Sequence, residues 1–166
     1  MKRLIAMLSL LVLSLDVLAG GCPAAPAKIE KAIQQHMIAL RATEYCDART
    51  VKTEHGITVA IYTAEGACAA QDPQAQPGTC SNNWVRYMVV LANQKITPPV
   101  EVGGKGRMTD TGVRISSGTI EVKGRSLGPK DSMCCPSVPE TKTFKISPSG
   151  RIHQVLPLAA RPNAAK

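Results

Sequence analysis

The chain has 166 residues and a formal net charge of +8, with one Phe, one Trp and three Tyr. That length holds one domain with a real core and excludes two ordinary ones. The few aromatics argue against a stacking platform for sugars or bases, and the absence of any long run of like charge excludes a basic tail or arm.

The first nineteen residues read as a targeting segment. Lys2 and Arg3 form a positive start, and Leu4 to Leu15 is an apolar run too short to span a bilayer. Val17-Leu18-Ala19 places small or β-branched side chains, Val17 and Ala19, three and one residues before a cut ahead of Gly20. Gly21-Cys22 resembles the end of a lipobox, with Ala19 where Leu usually stands, so lipidation at Cys22 is the alternative to simple export. Residues 20–26 read as a linker. Pro26 suits a first helical position, and Ile29, Ile33, Met37 and Leu40 form one apolar stripe of a helix expected to reach about Thr43. Met37 belongs to that stripe, while His36 beside it reads as a surface residue.

After Cys46 the period changes to two. Ile57, Val59 and Ile61 alternate as in a half-buried strand. Trp84 to Ala92 is apolar on both parities except at Arg86 and reads as a central strand with both faces covered. Pro98-Pro99 precedes a short edge strand at Val100 to Val102. Val113 to Ile115 and Thr119 to Val122 flank a tight turn at Ser116-Ser117-Gly118. Thr141 to Ile146 and Arg151 to Leu156 flank another at residues 147–150. The expectation is an α+β domain over residues 27–158, with an N-terminal helix packed on an antiparallel sheet of six or seven strands. Residues 159–166 read as a flexible tail.

All six cysteines (Cys22, Cys46, Cys68, Cys80, Cys134 and Cys135) follow the expected cut, and an even count in an exported chain reads as disulfides. Six cysteines allow fifteen pairings. Cys68 and Cys80 bracket a Pro- and Gln-rich loop whose closure is worth roughly 3 kcal/mol. Cys22 and Cys46 flank the helix. Cys134 and Cys135 either close on each other, as a turn lock, or pair elsewhere.

Few constellations suggest catalysis. Gly103-Gly104-Lys105-Gly106-Arg107 resembles a phosphate cradle but lacks the P-loop spacing, so it reads as a flexible strand connection with exposed charges. His36, His55 and His153 have no metal-ligand spacing, and neither a nucleophile elbow nor a carboxylate pair is present. No enzyme activity, metal or cofactor is expected.

The most specific segment runs from Ser126 to Ser137 and contains Gly128-Pro129-Lys130-Asp131-Ser132-Met133-Cys134-Cys135-Pro136-Ser137. It resembles a group of small exported bacterial domains of unassigned function that share a Gly-Pro-x-Asp-x-Met-Cys-Cys-Pro-Ser turn. The likeness spans about Trp84 to Ile146. Many members carry an acidic Gly-Asp-x-x-x-Asp-Gly loop before the second strand. Here Lys52 to Ile57 stands in its place, so the resemblance implies a fold but no calcium site.

Export, disulfides, positive charge and the lack of catalytic groups together imply a non-catalytic binding domain, periplasmic or secreted, of an inhibitor or immunity type. Its expected partner is a protein or an anionic envelope component rather than nucleic acid. Lys105, Arg107, Arg125 and Lys130, in turns or at strand ends, are the candidate contact residues. Two alternatives differ in kind. One is an outer-membrane accessory lipoprotein held to the membrane through Cys22. The other is thiol or soft-metal binding at Met133, Cys134 and Cys135.

Overall fold

The computed structural model describes residues 21–66, 74, 82–147 and 149–155. The leader at 1–19, the cut before Gly20, the Cys68–Cys80 pairing and the tail at 159–166 fall outside the described residues. Helix α1 covers Ala27–Leu40 with Pro26 just before it, and buries Ile29, Ile33, Met37 and Leu40 as the stripe requires. It stops short of Thr43 because Arg41 turns left-handed, at φ 50°, and its N–H bonds the Ile38 carbonyl. Thr43 is thereby free to join a sheet.

Ten strands follow among the described residues: β1 Thr43–Glu44, β2 Thr50–Glu54, β3 Ile57–Glu65, β4 Trp84–Ala92, β5 Lys95–Ile96, β6 Val100–Gly104, β7 Thr109–Ser116, β8 Thr119–Ser126, β9 Val138–Ile146 and β10 Ile152–Val155. All pair antiparallel, but in two sheets. In the first, β3 and β4 form the centre, β1 and β2 share the free edge of β3, and β5 and β6 share that of β4. The second is the meander β7-β8-β9-β10. The helix-on-antiparallel-sheet architecture is the expected one. Of the strands that alternation does not reveal, β1 and β5 have two residues each, and β2 offers one apolar side chain, Val51.

The first sheet is the middle of three layers. Ala60, Tyr62, Ala64, Tyr87 and Val89 pack under the helix. From the opposite face Ile57, Val59, Ile61, Met88 and Val90 meet Ile115, Ile120, Val122 and Phe144 of the second sheet. Both faces of β3 and β4 are therefore covered, which is why β4 reads as apolar on both parities.

Polar ties close the rim of the inter-sheet core. Lys52 of β2 donates to the Val113 carbonyl of β7 at 3.1 Å, and Lys142 of β9 donates to the Val102 carbonyl of β6 at 3.0 Å. The strongest tie is Arg86. Its guanidinium meets the Asp110 carboxylate of β7 in a fork of 2.6 and 2.7 Å, and also donates to the Ala48 carbonyl and the Thr63 hydroxyl. The Arg86 and Asp110 side chains are 7% and 5% exposed. A charge in a central strand is tolerable only when paired and fully bonded, and Arg86 satisfies both conditions.

A second buried arginine organises the N-terminal arm. Arg49 holds Glu44 in a fork of 2.7 and 2.6 Å and reaches Glu30 of the helix at 2.6 Å and the Pro23 carbonyl at 3.1 Å. Beside it Cys22 is bonded to Cys46, across a sequence separation of 24. This bond and Arg49 hold the arm against the helix and β1. Replacing Cys22 and Cys46 together by Ser is expected to cost about 3 kcal/mol, the loop-closure entropy returned to the unfolded chain. Urea unfolding of the oxidised protein and the variant checks this, and an unchanged midpoint would show that Arg49 alone holds the arm.

Candidate functional site

The end of the sandwich where β4 begins, and where β6 hands over to β7, carries the most differentiated surface. The chain crosses there between sheets in very little space. A Cβ on Gly103 would lie 2.1 Å from the Met108 carbonyl oxygen, and one on Gly104, at φ 152°, would lie 2.9 Å from the Trp84 carbonyl oxygen. The glycines of the Gly103 to Arg107 segment thus allow a close backbone approach, and no loose connection forms there. The Lys105 N–H donates to the Trp84 carbonyl and the Arg107 N–H to the Gly104 carbonyl, each at 3.0 Å. Lys105 and Arg107 consequently project from a fixed corner. The Lys105 ammonium rests on the Asn82 carbonyl at 2.7 Å, and Arg107 pairs with Glu101.

Facing this corner is the loop between β8 and β9, the segment singled out in sequence. Asp131 organises it. One carboxylate oxygen accepts the N–H groups of Gly128 and Ser137, both at 2.7 Å, and the other accepts the Ser137 hydroxyl at 2.9 Å. These bonds, the Gly128 N–H first, hold the Asp131 carboxyl below its ordinary range. Cys134 and Cys135 are bonded to each other, and the Ser132 hydroxyl lies 3.0 Å from the Cys134 sulfur. The loop so pinned projects Met133, which is 61% exposed, toward Gly106, where an added Cβ would come within 3.2 Å of its methyl group. The Gly-Pro-x-Asp-x-Met-Cys-Cys-Pro-Ser run is therefore a self-bonded clamp.

Between corner and loop lies a groove of about 630 Å³, lined by Trp84, Lys105, Arg107, Leu127, Met133 and Cys134, among others. Of the four cations expected to form a contact surface, Lys105 and Arg107 line it. Lys130 is exposed within the clamping loop, and Arg125 stands on the outer face of the second sheet, paired in register with the groove residue Thr109. The groove thus joins half of the expected basic set to the Met133-Cys134 pair, which sequence had treated as a separate possibility. A second cleft of about 410 Å³ continues past Trp84 and Thr109, with Arg86 and Asp110 among its lining residues.

The histidines lie elsewhere. His36 is half-buried, its Nδ1 2.7 Å from the Tyr62 hydroxyl and its ring edge-on to Tyr87. Burial lowers its pKa below the ordinary histidine value. It therefore belongs to the helix–sheet contact more than to the surface. His55 occupies the β2–β3 turn and His153 is exposed on β10. Among the described residues no three His, Cys, Asp or Glu side chains converge as a metal ion would require. Neither a family model, a curated protein nor a solved structure matches the chain.

The lowered Asp131 value fixes the sign of a pH effect. A carboxyl with a depressed folded-state pKa stabilises fully above its ordinary value, 3.8, and loses that contribution as pH falls through the lower folded value. The Gly128 and Ser137 amide resonances are expected to stay fixed down to the ordinary value and to move together below it. Asp131→Ala is expected to release the loop at neutral pH and speed tryptic cleavage after Lys130. Equal cleavage rates would refute the clamp.

Proposed function

We propose that the chain is an exported, non-catalytic binding domain that seats its partner in the groove between the Lys105–Arg107 corner and the Asp131-pinned loop. The observation that carries this reading is the clamp itself. Three acceptor bonds and a covalent sulfur link hold an exposed methionine beside a tryptophan and two cations, although no residue of that loop belongs to either core cluster. Preorganised apolar surface rimmed by charge is what a binding site requires. The expected partner is a protein or an anionic envelope component met in the periplasm or outside the cell, and the inhibitor or immunity type fits such a rigid contact surface.

The disulfide bonds indicate an oxidising compartment. Simple export is favoured over a lipid anchor because acylation would need the Cys22 sulfur that Cys46 occupies. Soft-metal binding is disfavoured in the oxidised form, since bonded sulfurs offer no thiolate.

The test is capture from envelope extract by the immobilised protein over salt from roughly 0.01 to 0.15 M, where the screening length falls from about 30 to 8 Å. A second arm uses Lys105, Arg107, Arg125 and Lys130 all changed to Ser. Retention is expected to fall with salt and to fall further in the variant. Equal retention by both proteins, or no partner at any salt, contradicts the proposal.

A further inference from the structure

The cleft beyond Trp84 has a chemistry opposite to that of the basic groove. Only five aromatic side chains of the Phe, Tyr and Trp kinds exist in the chain. Tyr62, Tyr87 and Phe144 are consumed by the core. The other two, Tyr45 and Trp84, both line this cleft, and Trp84 lines the groove as well. The backbone puts them on one face of the first sheet. The Tyr45 N–H bonds the Thr63 carbonyl, and Trp84 pairs in register with Glu65 one row further out. Tyr45 is 45% exposed and packs into neither core cluster. Neither Tyr45 nor Trp84 belongs to a core cluster, so among the described residues their side chains serve the cleft more than the core.

Charge decides what such a cleft would take. Its two arginines are committed, Arg49 to Glu44, Glu30 and the Pro23 carbonyl, and Arg86 to Asp110, Thr63 and the Ala48 carbonyl. Each has one N–H outside these bonds, but each charge is already balanced by a carboxylate, so neither offers an unbalanced charge to an anion. The carboxylates of Asp47 and Glu65, both exposed lining residues, have no side-chain partner among the described residues. Aromatic faces beside unpaired carboxylates form a site for an organic cation, because the ring faces and the carboxylates both attract positive charge and the rings also take an alkyl stem.

We infer that the cleft between Tyr45 and Trp84 binds an alkylammonium group, carried by a small polyamine or by a lysine-type side chain. This site adjoins the basic groove and shares Trp84 and Thr109 with it. Lys105 and Arg107 line the groove alone, and Tyr45, Asp47 and Glu65 line the cleft alone, so variants of each set test the two sites separately.

The chain's single tryptophan lines both this cleft and the groove, so its emission is read together with variants of Tyr45, Asp47 and Glu65, which line this cleft alone. The experiment titrates the full chain with putrescine, with Nα-acetyl-lysine amide and with uncharged 1,4-butanediol at about 0.01 M salt, by Trp84 emission and by calorimetry. Saturable binding of one or both amines, and none of the diol, is expected. Putrescine alone would point to a free polyamine, and the lysine amide to a protein or peptide side chain. Tyr45→Ala, and Asp47→Asn with Glu65→Gln, are each expected to weaken binding by about tenfold. Changing Lys105, Arg107, Arg125 and Lys130 to Ser is expected not to weaken amine binding, since it removes only positive charge from the neighbourhood of the cleft. The inference is overturned if neither amine binds, if the diol binds as well as putrescine, or if the cleft variants keep their unfolding midpoint and bind unchanged.

Discussion

One guanidinium holds together the end of the molecule that matters. Arg86 is introduced by β4 of the first sheet, yet its partners lie on β7 of the second sheet, on β3, and on the helical turn at Cys46–Ala48. Taking two charges out of water costs several kcal/mol per ion, and only a bidentate, fully bonded geometry offsets that cost. The Arg86–Asp110 fork has that geometry. Lys52 and Lys142 tie the sheets elsewhere with single bonds to carbonyls, so Arg86 fixes the two sheets most firmly where both clefts open.

Every feature of the candidate site is referred to that fixed end. Trp84, two residues before Arg86, lies between the clefts. Gly104 approaches the Trp84 backbone, and Gly103 the Met108 backbone, too closely for any side chain. The Asp131 loop then closes the far wall through bonds internal to itself. The result is a rigid rim of mixed character. Cations and an exposed thioether stand on one side of Trp84, and on the other an aromatic and two carboxylates without a side-chain partner among the described residues. Preorganisation of this kind lowers the ordering entropy that association otherwise costs, which suits recognition more than chemistry.

Much of the scaffold was legible because it follows periodicity. The stripe from Ile29 to Leu40, the alternation from Ile57 to Ile61 and the two-faced apolar run of β4 all reflect burial directly. The short pairings were illegible for the same reason, since β1, β2 and β5 bury too little to leave a pattern. His36 was misjudged as a surface residue because its place beside the stripe gives no hint of the tyrosines beneath it. Arg86 did leave a signal, because a lone charge inside an otherwise apolar strand implies a buried partner. Nothing in the sequence named Asp110 as that partner, since strand pairing across sheets is a tertiary choice. The ten-residue run around Asp131 is recognisable as special, but its reason, one carboxylate gathering the loop, lies in how the chain folds back on itself. Tyr45 left no signal at all.

The central claim is that the Arg86–Asp110 pair, as a unit, sets the geometry of the site. A double-mutant cycle tests it most directly, with Arg86→Met, Asp110→Leu and the double variant unfolded in urea while Trp84 emission is followed. Each single change is expected to cost about 3–5 kcal/mol by stranding the other charge, and the double to recover most of that loss. Trp84 emission should be perturbed in the singles. Additive losses with unperturbed emission would contradict the account.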